Sequence, residues 1–347
     1  MRGKWDWLLF TQIVAIGAIS QLIIFAINKN LATSQFVFWA IGLTILYIVS
    51  QINYKFWQSV TLPLYIFSIT LLGFLFILAE PVRGSVRWFD LGIFRVQPSE
   101  LAKVAAILLL ANFYNFRSAN NFKNILISAC LLLPLVILIF LEPDIGNTLA
   151  FMAIGLGIST VAGLKVKQFV QLATVVLITA IFFFEFLAPY QQKRLASFIN
   201  PVQDPLGTGY NIIQSKIAIG SGLLFGKGFA QGSQSQLNFL PEAESDFIFA
   251  AIAEQLGFAG AALLLVIYVS LITRITKIAK EKERYAQLVI AGIVSYMVLQ
   301  FTINVGMNLG LLPVTGITFP LVSYGGSSLL TTLFLLGIVF AIKKSNT

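Results

Sequence analysis

Long apolar runs constrain this chain more than any other feature of its sequence. A membrane-crossing helix needs about 20 mainly apolar residues, and ten runs reach or approach that length. They lie at about 7–27, 35–52, 60–79, 100–114, 125–141, 145–163, 169–187, 247–271, 288–305 and 321–342. Because backbone polar groups must be satisfied internally within a bilayer, these runs should be helices. The sequence predicts an all-α, polytopic membrane protein with about ten transmembrane helices, forming one transmembrane domain over residues 1–347.

Charged and reactive side chains are scarce. Of 347 residues, 58% are hydrophobic and 11% are charged, against roughly 25% charged residues in soluble domains. There is no histidine and Cys130 is the single cysteine, which excludes His-based triads, His-containing zinc sites and intramolecular disulfides. Acid–base chemistry must therefore use Asp, Glu, Lys or Tyr. The net charge of +9 is spread over short loops, so we expect no nucleic-acid partner.

The distribution of cations predicts the orientation of the chain. One alternating set of segments holds Arg2, Lys4, Lys55, Arg117, Lys123, Lys165, Lys167, Arg274, Lys277, Lys280, Lys282, Arg284, Lys343 and Lys344. The positive-inside rule places this set, and with it both termini, in the cytoplasm. The extracytoplasmic side then receives residues 80–96 and a long loop at about 188–245. Within that loop Ile212, Lys216 and Gly220 share one helical face, which predicts an interfacial or re-entrant helix.

Further cations oppose this rule because they fall on the extracytoplasmic side. They are Arg83, Arg87, Arg95, Lys193, Arg194, Lys216 and Lys227. Arg87, Arg95 and Asp90 share a short loop with Trp88 and Phe89. This loop is either an aromatic anchor at the membrane interface or part of an anion site, and the repeated cations favour the anion site.

Ionisable residues in or beside the spans mark function by default, with a structural role as the competing interpretation. Glu100 and Lys103 lie on one face of the fourth span, where they either neutralise each other or bind substrate. Glu142 and Asp144 occupy a very short outer turn. Either both are interfacial residues, with Asp144 capping the next helix, or both are functional residues. Glu254 lies two turns into the eighth span, and a structural hydrogen bond is favoured over chemistry there.

Asp246 is the sharpest candidate for chemistry. It stands at the outer mouth of the eighth span, shortly after Glu242 and Glu244. One interpretation is an N-cap, and the helix dipole would then lower its pKa. The other is a general base, which needs the neighbouring carboxylates or partial burial to raise the pKa again. The residues alone leave both interpretations open.

Several strings together resemble the SEDS family (shape, elongation, division and sporulation). They are GSVRW at 84–88, QPSE at 97–100, EPDIG at 142–146, GYNIIQSKIAIGSG at 209–222, SDFIFA at 245–250, PVTGITFP at 313–320 and SYGGS at 323–327. The resemblance runs nearly end to end, and IIQSKIA with GSQSQL at 232–237 is closer to the rod-shape members than to the division members. The sequence departs from the family pattern at two places. Glu142 stands where Gln is common, and AES at 243–245 stands where His-Thr often precedes the aspartate. Glu142 and Glu244 are therefore given no family role.

The resemblance implies a peptidoglycan glycosyltransferase that polymerises lipid II at the outer face of the bacterial cytoplasmic membrane. It implies a complex with a class B penicillin-binding protein, contact with other membrane proteins of the elongation complex and with membrane lipids, and an essential Asp246. Inverting displacement at the donor sugar needs a base, here Asp246, and positive charge at the leaving pyrophosphate. The expected substrate-binding residues are Arg87, Arg95, Glu100, Lys103, Arg194 and Lys216.

Other functions remain open at this point. A divalent cation such as Mg²⁺ is a candidate to help the basic side chains stabilise the leaving pyrophosphate, although no metal site can be identified in the sequence. A lipid II flippase or other transporter would instead use Glu100, Lys103, Glu142 and Glu254 as a polar path through the bundle. A non-catalytic membrane scaffold for wall-synthesis enzymes is the third interpretation.

Overall fold

Fourteen α-helices, one 3₁₀ turn and one small hairpin make up the described part of the chain. The structure, a computed structural model, describes residues 5–78, 87–90, 92, 95–182, 184–187, 189–200 and 207–345. The helices are α1 (Trp7–Ile27), α2 (Lys29–Gln51), α3 (Tyr54–Ser59), α4 (Thr61–Leu78), α5 (Pro98–Asn115), α6 (Phe122–Leu141), α7 (Ile145–Val161), α8 (Val166–Phe182), α9 (Pro189–Ile199), α10 (Thr208–Ser221), α11 (Ser233–Gln236), α12 (Ile248–Ala279), α13 (Arg284–Asn308) and α14 (Gly326–Lys344). The 3₁₀ turn is Phe184–Phe186. Strands β1 (Phe89–Asp90) and β2 (Arg95–Val96) pair antiparallel. Arg2, Lys4, Arg83 and residues 84–86 lie outside the described residues.

The predicted all-α membrane fold is confirmed. Ten helices of at least 17 residues, within the described ranges, coincide with the ten predicted spans. Six of these are long and apolar enough to cross a membrane, namely α1, α2, α6, α12, α13 and α14. The apolar parts of α4, α7 and α8 are shorter. The second span begins at Lys29, earlier than predicted, because the Asn28 side chain caps it. The last begins at Gly326, later than predicted.

Short polar side chains determine where several helices begin. The carboxylate of Asp6 accepts a hydrogen bond from the Leu9 amide at 3.0 Å, and Asp144 does the same for the Asn147 amide at 2.9 Å. Such caps satisfy amides that have no partner within the helix. In α5 the first residue is Pro98, which has no N–H to satisfy. The predicted capping role of Asp144 is therefore confirmed.

Helix α5 lies at the centre of the bundle, packed against α4, α7, α13 and α14. Outside it, α2 packs on α14 and α1 on α12. Lipid tails are as apolar as the side chains, so close packing through small residues replaces the hydrophobic effect between helices. Gly157 of α7 contacts Ser295 of α13, and Gly337 of α14 contacts Val49 of α2. These contacts leave no room for larger side chains.

The eighth span, α12, is broken at Gly257, which the apolar pattern did not predict. Gly257 has φ of 69°, and the loop that follows α10 packs against the break. The Phe258 amide donates to the Leu223 carbonyl at 2.8 Å, and the Lys227 amide donates to the Glu254 carbonyl at 2.9 Å. These bonds replace the ones that the break removes, as non-helical backbone at membrane depth requires. The loop therefore reaches the third turn of α12, which favours the re-entrant interpretation of this segment.

The two predicted sets of loops lie at opposite ends of the bundle. At one end, ion pairs join Arg274 to Asp6 and Lys55 to Glu283, each at 3.0 Å. We call this the cation-rich end. The other end carries the β1–β2 hairpin, the 142–144 turn, α9 and the loop that leads into α12.

Candidate active site

A cavity of about 1900 Å³ opens at the hairpin end of the bundle. Its charged lining residues are Arg87, Asp90, Arg95, Glu100, Asp144, Lys193, Arg194, Glu242 and Asp246. Five of the seven predicted site residues belong to this set. Lys103 and Lys216 do not line the cavity.

Two asparagines of α13 hold the backbone of Asp246. The Asp246 carbonyl accepts hydrogen bonds from Nδ2 of Asn304 at 3.1 Å and from Nδ2 of Asn308 at 2.9 Å. Phe247, not Asp246, is the N-cap of α12, and no side chain caps this helix. The capping interpretation of Asp246 therefore finds no support in the geometry. Its carboxylate accepts no hydrogen bond from the residues that the structure describes.

The surroundings of Asp246 suit a general base. Burial raises its pKa to about 6; the positive charge of Arg194 opposes this shift and Glu242 adds to it. A Cβ atom on Gly316 would lie 3.4 Å from Nη1 of Arg194 and 3.6 Å from Oδ2 of Asp246. Gly316 thus keeps the space between the base and the guanidinium open. A carboxylate with this pKa is ionised at neutral pH and still accepts a proton efficiently.

Arg87 joins three parts of the cavity wall. Its guanidinium donates to the carbonyls of Glu142 (3.2 Å) and Pro143, and to the Tyr190 hydroxyl at 2.7 Å. Its Nε lies 3.8 Å from the Asp144 carboxylate. These contacts hold the hairpin against the 142–144 turn and α9. Arg87 thus faces the cavity, as the anion-site interpretation requires.

Glu142 is fully buried, so the structure does not support its interfacial placement. Neither of its carboxylate oxygens has a hydrogen-bond partner among the described residues. Burial raises its pKa to about 9; the nearby Asp144 contributes to this shift and Arg87 opposes it. Glu142 is therefore neutral at pH 7. Its backbone carbonyl, rather than its charge, contacts Arg87.

Arg95 and Arg194 approach the cavity from different elements. Arg95 pairs with Asp90 at 3.1 Å across the hairpin, and both side chains are more than half exposed. Arg194, on α9, donates to the Val314 carbonyl at 3.3 Å, and its guanidinium lies 5.6 Å from the centre of the Tyr190 ring. Both cations therefore line the cavity wall while remaining near solvent.

Glu100 and Lys103 form the predicted ion pair, at 2.7 Å inside the bundle. Lys103 is fully buried, and its ammonium lies 4.9 Å from the centre of the Tyr296 ring. Glu100 lines the cavity, and its Oε2 has no partner among the described residues. Glu100 is thus the member of the pair that borders the cavity, and its unpartnered Oε2 is itself buried.

Lys216 and Glu254 lie away from this cavity. Lys216, on α10, is exposed and packs against Gly310 in the loop after α13. The Glu254 carboxylate accepts hydrogen bonds from the Lys227 ammonium at 3.0 Å and the Gln234 amide at 2.8 Å. Glu254 therefore fixes the segment around α11, and its predicted structural role is confirmed.

The polar residues of α13 were not predicted as site residues. Gln300, which lines the cavity, Asn304 and Asn308 recur every four residues and so lie on one face of an apolar helix. That spacing was the available signal. No group of three or more acidic side chains in the described ranges could hold a metal ion, and the divalent cation stays a hypothesis.

Comparison with known proteins identifies the family. The profile of the FtsW, RodA and SpoVE family, described as cell cycle protein, matches residues 6–347. The chain belongs to this family. It is 40% identical over 306 residues to peptidoglycan glycosyltransferase MrdB of Escherichia coli, covering 87% of this chain and 83% of MrdB. It is 35% identical over 319 residues to stage V sporulation protein E of Bacillus subtilis, covering 90% and 87%.

Solved structures of family members share the fold. A chain of a peptidoglycan synthase complex that coordinates polymerization and crosslinking superposes with a TM-score of 0.86 at 30% identity, covering 98% of this chain and 97% of that chain. The rod shape determining protein RodA of Thermus thermophilus superposes with a TM-score of 0.74 at 28% identity, covering 98% and 96%. Family membership and a multi-pass membrane fold are thus established together.

Proposed function

We propose that this chain is a peptidoglycan glycosyltransferase that polymerises lipid II into β-1,4 glycan strands, for cell elongation and rod shape. The observation that carries the proposal is the cavity wall in which the carboxylate of Asp246 faces Arg194 across an open space. The same activity is named for its relative MrdB. The protein acts at the outer face of the bacterial cytoplasmic membrane, with both termini in the cytoplasm.

Asp246 is the base of the reaction. The 4-hydroxyl of the acceptor sugar attacks the anomeric carbon of the donor and gives its proton to the Asp246 carboxylate. The bond from that carbon to the lipid pyrophosphate breaks in the same displacement, so the α-linked donor yields a β-linked product. Arg87, Arg95 and Arg194 stabilise the departing pyrophosphate by charge-assisted hydrogen bonds.

The remaining predicted substrate residues take different parts in this proposal. Glu100 contacts the sugar or peptide of lipid II, since it lines the cavity. Lys103 acts only through Glu100, because it is fully buried. Lys216 does not line the cavity, so its predicted contact with the substrate has no support from the positions of the helices.

The wall formed by α2 suits the lipid tail of the substrate. Leu31, Val37, Phe38 and Ile41 line the cavity on this side. Val37 is 50% exposed and Ile41 is 45% exposed, so the cavity is open to the lipid-facing surface of the bundle. An undecaprenyl chain lies along this wall and leaves the pyrophosphate among the arginines.

The proposed partner is a class B penicillin-binding protein, which crosslinks the strands that this chain makes. A structural relative occurs in a synthase complex that coordinates polymerization and crosslinking, and this supports the pairing. Other membrane proteins of the elongation complex and membrane lipids complete the proposed surroundings.

The test is glycan synthesis in detergent, where there are no membrane sides between which lipid could move. The purified chain is mixed with labelled lipid II and a class B penicillin-binding protein from the same organism, with penicillin present to prevent crosslinking. We expect uncrosslinked glycan strands. A lack of product, together with lipid II movement in vesicles, would favour the transporter; a lack of both would favour the scaffold.

A further inference from the structure

A second cavity, of about 460 Å³, lies at the cation-rich end, far from the candidate active site. It is a groove between the last turn of α7, the last turn of α12 and the first three turns of α13. It follows nine residues of α13, from Gln287 to Ser295, whose eight rises of about 1.5 Å span about 12 Å. The proposed glycosyltransferase mechanism uses none of its lining residues.

The groove changes character along its length. Its mouth, where α7 and α12 end and α13 begins, is lined by Thr160, Thr276, Lys280 and Gln287. Deeper in the bundle its wall is apolar or small, formed by Ile290, Ala291, Val294 and Ser295. The polar mouth and apolar interior match an amphiphile whose headgroup lies at the membrane surface.

Lys280 is the free cation at the mouth of the groove. It is exposed, and it forms no ion pair within the described part of the chain. The Thr160 and Thr276 hydroxyls each donate to a carbonyl of their own helix, at 2.7 and 2.9 Å. The Lys280 ammonium is therefore the group left to bind an anion. Lys277, three residues earlier and also exposed, adds positive charge beside it.

We propose that this groove binds an anionic phospholipid of the adjacent leaflet. The lipid phosphate contacts Lys280, and one acyl chain lies along Ala291 and Val294 of α13, which line the groove and are half-buried. Basic recesses between transmembrane helices attract anionic headgroups, and each nearby cation contributes to the attraction. The position at the helix ends puts the phosphate at headgroup depth and the apolar wall at acyl-chain depth.

Charge complementarity selects a lipid over a protein segment as the occupant. The stretch from Arg274 to Arg284 also contains the cations Lys277, Lys280 and Lys282, against the acidic residues Glu281 and Glu283. Arg274 is paired with Asp6 at 3.0 Å. Glu283 is likewise paired with Lys55 at 3.0 Å. Lys277, Lys280, Lys282 and Arg284 then remain against Glu281, so the local charge is positive at the depth of a lipid headgroup.

The experiment measures lipid binding to the full chain in detergent by native mass spectrometry. Phosphatidylglycerol and phosphatidylcholine with identical acyl chains are titrated separately, and glycerol phosphate supplies the charge without the chains. Lys280→Gln removes the cation, while Lys123→Gln removes an exposed cation at the same end but outside the groove. Ala291→Leu narrows the groove without changing charge.

We expect the wild type to bind phosphatidylglycerol more tightly than phosphatidylcholine and to bind no glycerol phosphate. Lys280→Gln should weaken phosphatidylglycerol binding about fivefold, which corresponds to the loss of one cation near a membrane surface. Lys123→Gln should have no such effect, and Ala291→Leu should weaken both lipids. Equal affinity for the two lipids, binding of glycerol phosphate, or identical behaviour of the two lysine variants would overturn the proposal.

Discussion

Asp246 meets two requirements of a general base that usually conflict. The carboxylate must be basic enough to take a proton from a sugar hydroxyl, yet ionised at the pH of the cell surface. Burial raises its pKa to about 6, while the guanidinium of Arg194 prevents a larger rise. Because Asn304 and Asn308 bind its backbone carbonyl, the carboxylate itself stays available to substrate.

The first prediction concerns the pH dependence of polymerisation. Only the ionised form of Asp246 is a base, and its pKa is raised to about 6, so the ionised fraction falls as the pH falls through 6. We expect the initial rate to be constant above pH 7 and to drop about tenfold per pH unit well below 6. Rates measured between pH 5 and 8 test this. A rate that holds constant down to pH 5 would contradict the assigned base.

The second prediction concerns the buried pair of Glu100 and Lys103. Lys103→Met alone leaves a buried carboxylate without its cation, which should cost about 3–5 kcal/mol of stability. Combining it with Glu100→Gln restores neutrality and should recover the melting temperature. Activity should stay low in the double variant, since Glu100 lines the cavity. Recovery of both stability and activity would show that the pair has only a structural role.

At the scale of elements, the break in α12 depends on one residue. A Cβ atom on Gly257 would lie 2.3 Å from the Gly226 amide nitrogen, and its φ of +69° is unfavourable for other residues. Gly257→Ala should therefore destabilise the fold by about 2–4 kcal/mol, measured as a lower melting temperature. Gly73→Ala is the matched control, because Gly73 lies in α4 with no atom within 4 Å of the added methyl. Equal melting temperatures would contradict this account of the break.

The sequence predicts elements better than the contacts between them. Each of the ten spans follows from the length of an apolar run, a local property that the bilayer enforces. The break at Gly257 depends on a loop about 30 residues earlier in the chain, and no local pattern shows that pairing. Likewise, the four-residue spacing of Asn304 and Asn308 is visible in the sequence, but their common target, the Asp246 carbonyl, is not.

Contacts between helices also decide which of the predicted site residues reach the cavity and which do not. Arg87 and Arg194 are predicted from their type and their side of the membrane, and Asp246 is chosen over a capping role by the family resemblance. Folding brings all three to one cavity. Lys216 satisfies the same sequence criteria, yet the direction of α10 points it elsewhere. Which cations converge is a property of helix packing, and a hydropathy pattern does not encode it.

For the whole molecule, an outer-face polymerase requires that the cation-rich end faces the cytoplasm. If the cation-rich end is cytoplasmic, Asp246 and its cavity face the outer surface, where lipid II is presented. After Cys130→Ala, we expect Gln231→Cys to react with an impermeant thiol reagent in intact spheroplasts and Glu281→Cys to be protected. The reverse pattern would invert the protein and remove the outer-face polymerase mechanism.

The role of Asp246 as the catalytic base is tested by measuring glycan synthesis from lipid II with the Asp246→Asn variant. The folded-state pKa of Asp246 lies above its ordinary value, so ionised Asp246 destabilises the fold near pH 7, and Asn should not lower the melting temperature. We expect normal folding with product reduced by about 100-fold or more. Glu244→Gln, the same chemical change in the same loop but outside the cavity lining, should stay active. Product near the wild-type amount from Asp246→Asn would contradict the account.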